Sequence, residues 1–333
     1  MYLIRGQFLR LLLGTAATIA FTWLFLREVD LGEAWAKIRE LPAWTLLGAV
    51  ALLLVNVGVM AFRWRLLLHG AGYRVPLRLV FATVSVGRAA NNVVPARGGD
   101  LLRIVSMREV GAVPAFVTAG TLFAERLLDG VVLATWILLG ALAIGQGGIP
   151  LLAGIALSSG TVLGLVLVAV AARRPEASAR FASRATSRLP TRWRPRASRS
   201  ALHFVEGLGT FRRARHVAVV LATSALMWLA DVLMFALVGH AYGVDLGLGG
   251  YFLLEGIGNL ALAVPATAAG LGSFDYLTFL AAREIDVEEH AASAYVLTMH
   301  ALIILPVTIL GALLIRPALP RLFRTRPRAR EAG

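Results

Sequence analysis

The order of apolar and polar positions divides the chain into long apolar runs separated by short charged stretches. Six runs approach or exceed the ~20 apolar residues that a helix needs to cross a hydrocarbon core: Phe8 to Leu26, Trp44 to Phe62, Val113 to Leu139, Pro150 to Ala172, Val217 to Ala241 and Ala291 to Ile315. Each predicts a transmembrane helix. The first follows Arg5 and Arg10, as a signal peptide would, but it ends in TWLFLRE with no small-residue cleavage pattern. It therefore reads as an uncleaved helix, standing apart from the rest.

Two further segments are shorter and more polar. Leu77 to Pro95 carries Arg88, Asn91 and Asn92 and stops at VVPARGGD, and Tyr251 to Pro265 carries Glu255 and Asn259 and stops at AVPATAAGLGSFD. Backbone released at membrane depth is tolerated only against protein or water, so both predict re-entrant segments.

Charge sets the direction of the runs. The stretch Arg173 to His216 holds twelve arginines against Glu176 and Glu206, which places it in the cytoplasm by the positive-inside rule. Counting outwards puts both termini in the cytoplasm and Glu284 to Glu289 outside. Residues 44–140 then read helix, broken segment, helix, and residues 217–315 read the same in the opposite sense. The predicted fold is an all-α polytopic membrane protein, with about six full transmembrane helices and two re-entrant segments in an inverted repeat. One integral membrane domain spans residues 1–333, and 173–216 forms a basic cytoplasmic loop. Paired interrupted segments in inverted halves point to a transport site between them.

Composition narrows the function. The 333 residues are 58% hydrophobic and 16% charged with mean hydropathy +0.74, against roughly 45–50% and 25% in soluble domains. The net charge of +14 lies between apolar runs, where it meets lipid head groups and not nucleic acid. Cysteine is absent, which excludes disulfides and thiolate chemistry. No P-loop, dinucleotide fingerprint or H-E-x-x-H stretch occurs, so no ATP hydrolysis, metal or cofactor is expected.

Candidate chemistry lies at depth. FAERLLDG places Glu125, Arg126 and Asp129 in mid-span, where each charge costs at least roughly 2.5–3.5 kcal/mol. Glu125 and Asp129 share a helix face, and Arg126 lies three positions from Asp129. The reading is a substrate or coupling site, against a structural salt bridge. Asp231 and His300 add titratable groups at similar depth. The first broken segment offers Arg88, Asn91, Asn92, Arg97, Gly99, Asp100 and Arg103 around Pro95, fit for a phosphate-bearing head group. The counterparts in the second are Glu255, Asn259, Gly270, Gly272, Ser273 and Asp275 beside Pro265, a gate or cation-facing half. Arg63 and Arg65 read as topology anchors. Glu28 and Asp30 form an acidic pair able to hold a divalent metal under an enzymatic reading.

The run N-N-V-V-P-A-R-G-G-D-L-L-R, the E-R-L-L-D about twenty residues later and the V-P-x-x-x-x-G-L-G-S near residue 264 together resemble the membrane region of lysylphosphatidylglycerol synthases and their stand-alone relatives. The resemblance implies a flippase-like membrane protein of a bacterial or archaeal cytoplasmic membrane. Its cargo would be an aminoacylated phospholipid, a polyprenyl-phosphate-linked sugar or a hopanoid-type lipid. It carries head-group roles to Pro95, Arg97, Gly99, Asp100 and Arg103, and charged roles to Glu125, Arg126 and Asp129. His300 departs from the family's common arginine, and no soluble aminoacyl-transfer stretch is present. The expected activity is transport, not enzymatic synthesis. The expected partners are membrane lipids, with a lipid-synthesising enzyme supplied by another chain and a homodimer left open. A membrane transferase using a polyprenyl-linked donor and an assembly factor without transport remain the rival readings.

Overall fold

A computed structural model of the chain describes residues 2–94, 98–145, 147–187, 190–263 and 268–322. Side chains are described between 14 and 315, excepting 149, 150, 175, 182, 263 and 268. Pro95, Arg97 and Pro265 lie outside the described residues.

All regular structure among the described residues is helical. The peripheral N-terminal pair is α1 (Tyr2–Glu28) and α2 (Leu31–Arg39). The first repeated set is α3 (Ala43–Gly70), α4 (Leu77–Val93), α5 (Gly98–Glu109) and α6 (Ala115–Ala143). Next come α7 (Gly148–Arg173), α8 (Pro175–Thr186) and α9 (Arg194–Gly207). The second set is α10 (Ala214–Ala241), α11 (Gly247–Ala263), α12 (Ser273–Glu284) and α13 (Glu289–Leu322). Five helices are long and apolar enough to cross a membrane among the described residues: α3, α6, α7, α10 and α13. The protein is a multi-pass membrane protein. The remaining expected run, Phe8 to Leu26, lies within α1, whose side chains are described only from Gly14 on.

Both broken segments fold as helical hairpins of a 17-residue and a 12-residue helix, α4–α5 and α11–α12. At 1.5 Å per residue a 12-residue helix reaches about 18 Å, short of the roughly 30 Å hydrocarbon core. Close crossing is what permits each hairpin. A Cβ on Gly99 would collide with the Gly87 carbonyl, and one on Gly258 would lie 2.9 Å from the Phe274 ring. A Cβ on Gly87 would likewise lie 2.7 Å from the Arg103 side chain, so Gly87 and Gly258, the glycines that precede the two breaks, both let their hairpin helices approach closely.

The duplication extends to the turns. Gly72 follows α3 and Gly243 follows α10 by two residues each, both with positive φ (95° and 72°). Ala112 and Asp286 precede α6 and α13 by three residues each, and these non-glycines also hold positive φ (53° and 63°). Unfavourable left-handed backbone at matched positions marks one unit used twice.

The sets run in opposite senses and interleave. Helix α3 lies antiparallel to its counterpart α10: Gly48 abuts Leu237, and Asn56 Nδ2 donates to Met227 O at 3.0 Å. Helix α4 packs on α13 and α11 packs on α6, so each hairpin leans on the long helix of the other set. Trp136 stacks on Phe252 at 4.5 Å in the second pairing, and Asn92 Nδ2 donates to Thr308 Oγ1 at 3.0 Å in the first.

Three sequence expectations need correction. Helix α1 does not stand apart: Phe25 meets Phe279 edge-on at 5.8 Å and Phe21 meets Tyr276 at 6.2 Å, so it covers the second hairpin. Within Arg173 to His216, α8 and α9 are helices packed on each other, and α9 also packs on α6, where Gly120 faces Gly207. Asp30 caps α2 by accepting from Gly32 N and Glu33 N at 2.8 and 3.1 Å. Its side chain is thereby engaged on backbone amides, the D-x-x-E signature of a helix start. No group of three His, Cys, Asp or Glu that could hold a metal occurs among the described residues.

Candidate functional site

Six charged side chains from α3, α5 and α6 close into a ring. On α6, Glu125 and Asp129 point from one face, as their spacing of four requires. On α5, Asp100 and Arg103 lie one turn apart. Arg103 grips Glu125 bidentately at 2.9 and 2.8 Å. Arg63 of α3 donates to both oxygens of Asp129, the second at 3.3 Å, and stands 3.8 Å from Glu125. Arg126 donates to Asp100 at 3.2 Å and lies 3.8 Å from Asp129. Arg103 lies 3.8 Å from Asp100 and completes the circuit.

The ring balances three arginines against three carboxylates, which is why it can be buried. Arg63, Arg103 and Glu125 are essentially inaccessible, and a buried ion pair persists only when its remaining groups are also bonded. Neighbours supply some of those bonds, while the Nε of each of the three arginines is buried without a partner among the described residues. Ser224 accepts from Arg63 at 2.9 Å, Trp228 Nε1 donates to Asp129 at 3.1 Å, and Arg103 lies 4.0 Å from the Trp64 ring centroid. The ring opens on one side only, where the Arg126 and Asp100 side chains are 38% and 24% exposed.

A second layer joins the ring through α4 and α10. Arg88 donates to Asn56 Oδ1 at 2.6 Å, and Asp231 of α10 lies in the field of Arg88. Beyond it is Glu255 on α11, fully buried. Asn259 of the same helix donates to its Oε1 at 2.9 Å, while Oε2 has no partner among the described residues. The charges nearest Glu255 are those of Asp231 and Asp129, both negative.

The second repeat holds a smaller version of the crossing. Asp100 and Asp275 are each two positions into their helices, and Arg126 and His300 are each eleven positions into theirs. Accordingly His300 Nδ1 meets Asp275 at 2.6 Å where Arg126 meets Asp100. His300 Nε2 lies 3.1 Å from the Ala269 carbonyl, and Asp275 accepts from Gly272 N at 2.9 Å. Ser273 Oγ donates to the Gly270 and Ala261 carbonyls at 3.1 Å. The hairpin turn, with Ala269, Gly270 and Gly272 at φ 61°, 72° and 81°, is thus tied to α13 by His300. The same turn rests on α4.

The expected site residues divide accordingly. Glu125, Arg126, Asp129, Asp100 and Arg103 come together. Asn91 accepts from Gly99 N at 2.8 Å and holds the first hairpin closed, and Asn92 bonds α13. The side chains of Arg88, Asn91, Asn92 and Arg103 each bond partners within the protein. Arg63 is a correction: it is no interfacial anchor but a fully buried member of the ring. Its signal was legible, since Arg63 and Asn56 are seven apart and share a face of an otherwise apolar helix.

The model of the lysylphosphatidylglycerol synthase TM region matches residues 8–311. The glycosyltransferase AglD of Haloferax volcanii is 24% identical over 304 residues, covering 81% of this chain and 48% of that protein. The chain thus spans about half the length of that curated relative.

Proposed function

The chain belongs to the lysylphosphatidylglycerol synthase transmembrane-region family, and from that premise we propose that it moves a polar or anionic lipid between membrane leaflets. The observation that carries the reading is the pair of helical hairpins in sets of opposite sense, interleaved around a buried ring of charge. In this reading both hairpins are re-entrant, the arginine-rich end bearing α8 and α9 faces the cytoplasm, and the membrane is a bacterial or archaeal cytoplasmic one. The head group meets the accessible edge of the ring: Arg126 takes a phosphate and Asp100 a cationic substituent. Arg63, Arg103, Glu125 and Asp129 hold that edge in place. Asp231 and Glu255, the latter without a counter-cation, carry coupling protons as the hairpins exchange access. The chain acts as a transporter and performs no covalent step.

The test is reconstitution in liposomes containing labelled aminoacylated phosphatidylglycerol or a labelled polyprenyl-phosphate-linked sugar, reading head-group accessibility to an impermeant quencher. Wild type is expected to expose label faster than empty vesicles, with Arg126→Ala slowed about tenfold or more, the loss of one charge-assisted contact, and Glu255→Gln slowed because it can no longer carry a proton. Normal transport by both Arg126→Ala and Glu255→Gln would overturn the site.

A second reading, transfer of a sugar from a polyprenyl-linked donor, is favoured by the name of the haloarchaeal relative. Membranes containing the chain and a radiolabelled donor would then yield labelled product, and absence of product with active transport would eliminate it.

A further inference from the structure

A large cavity lies away from the charge ring, at the arginine-rich end between α7, α8 and α9. Its volume is about 890 Å³, within the roughly 300–1,000 Å³ of small-molecule sites. The space exists because of alanine. Ala177 and Ala185 of α8 and Ala197 and Ala201 of α9 line it, and none reaches across to Leu167 and Val170 of α7. Both helices nevertheless present these positions at i, i+4 or i, i+8 spacing, one continuous apolar face each. Larger residues would have closed the gap, and an apolar void open to the surroundings is costly to hydrate.

The rim has the opposite character. Arg174 ends α7 and borders the cavity, and Arg180, Arg184 and Arg199 stand on the two helices that roof it. All four are exposed, and none forms an ion pair among the described residues. Phe116 and Phe181 border the mouth and are 49% and 76% exposed. An apolar slot beneath a row of unpaired arginines, beside a helix long enough to span the membrane, matches the chemistry of an anionic diacyl lipid, with one chain in the slot and the phosphate on the rim.

We propose that the α7–α8–α9 cavity is a binding site for an anionic phospholipid, whose acyl chain fills the alanine-lined slot and whose phosphate is held by Arg174. The site is separate from the charge ring and stands whether or not the chain transports lipid. It makes the α8–α9 hairpin a lipid-stabilised element and explains why Arg174, Arg180, Arg184 and Arg199 form no ion pair among the described residues.

The experiment is native mass spectrometry of the full chain from micelles doped with equimolar phosphatidylglycerol and phosphatidylcholine of identical acyl chains. Wild type is expected to retain one phosphatidylglycerol with about tenfold preference over phosphatidylcholine, the scale of one charge-assisted phosphate contact. Arg174→Gln keeps a lipid but loses most of that preference. Ala201→Phe, which fills the slot, loses the lipid with helicity intact by circular dichroism. Should Ala201→Phe not fold, Ala185→Leu makes the same test with a smaller fill. Equal retention of phosphatidylglycerol in the filled variant, displacement by glycerol phosphate lacking acyl chains, or a stoichiometric polypeptide in place of lipid would each overturn the proposal. Because the readout is binding, its failure leaves the transport reading untouched.

Discussion

The first repeat closes its helix crossing with three arginines against three carboxylates, whereas the second closes the corresponding crossing with one histidine against one carboxylate. The backbones match at the turns after α3 and α10 and before α6 and α13, down to the left-handed residues at Ala112 and Asp286. Fold duplication and charge duplication are therefore separable. Helix lengths and close glycine contacts reproduce the hairpin, while single positions decide what it buries. Arg126 and His300 occupy the same place, but arginine holds its charge permanently and histidine only when protonated. One hairpin is bolted into a network of six charged side chains and the other is held by fewer bonds.

The sharpest way to break that comparison is to remove the centre of the ring. Glu125→Ala leaves Arg103 and Arg63 buried and short of partners, and it should destabilise the protein by about 3–5 kcal/mol in detergent thermal melts. Replacing Glu125 and Arg103 together with leucine should restore much of the loss. If the single variant melts as wild type does, the ring is not a stabilising unit.

His300→Ala should cost less, about 1–3 kcal/mol, since it leaves Asp275 and the Ala269 carbonyl without their partner. His300→Arg makes the second crossing like the first. It should keep the Asp275 contact and slow transport, and unchanged transport would deny the second hairpin a gating role.

A smaller effect lies outside the membrane core at the start of α13. Glu288 accepts from His290 N and Ala291 N at 3.0 and 2.8 Å and pairs with Lys37 of α2 at 3.3 Å. These contacts, the His290 amide first, hold its carboxyl down at about 2. A depressed carboxylate contributes stability that is complete above the ordinary glutamate range and is lost as pH falls from there towards about 2. Glu288→Gln should flatten that part of the acid unfolding profile, measured by tryptophan fluorescence. Least of all, Glu255→Gln should leave the melting temperature almost unmoved, within about 0.5 kcal/mol, because no cation depends on it, while abolishing any proton-coupled transport.

Much of this was legible in order and spacing. The apolar runs marked the five described spans, and the short polar segments stopping at Pro-Gly stretches marked both hairpins. FAERLLDG announced charge at depth. What sequence position alone misassigned was partnership. Arg63 looked like one of several arginines near a helix end, Asn91 and Asn92 looked like head-group donors, and the arginine-rich stretch looked like a loop. Asn91 finds its partner in Gly99, eight residues on, but the other deciding partners are distant in the chain: Asp129 for Arg63, Thr308 for Asn92, and α6 for α9.

The sequence by itself determined that the chain lives in a membrane, where its helices break and which stretch gathers the arginines, because hydrophobic length and charge bias act locally and add along the chain. Only the tertiary structure decided which charges neutralise each other, which are left over, and that a row of alanines would enclose a cavity. Those outcomes depend on distances between residues far apart in sequence, and at low dielectric a shift of a few ångströms separates a satisfied ion pair from an isolated charge.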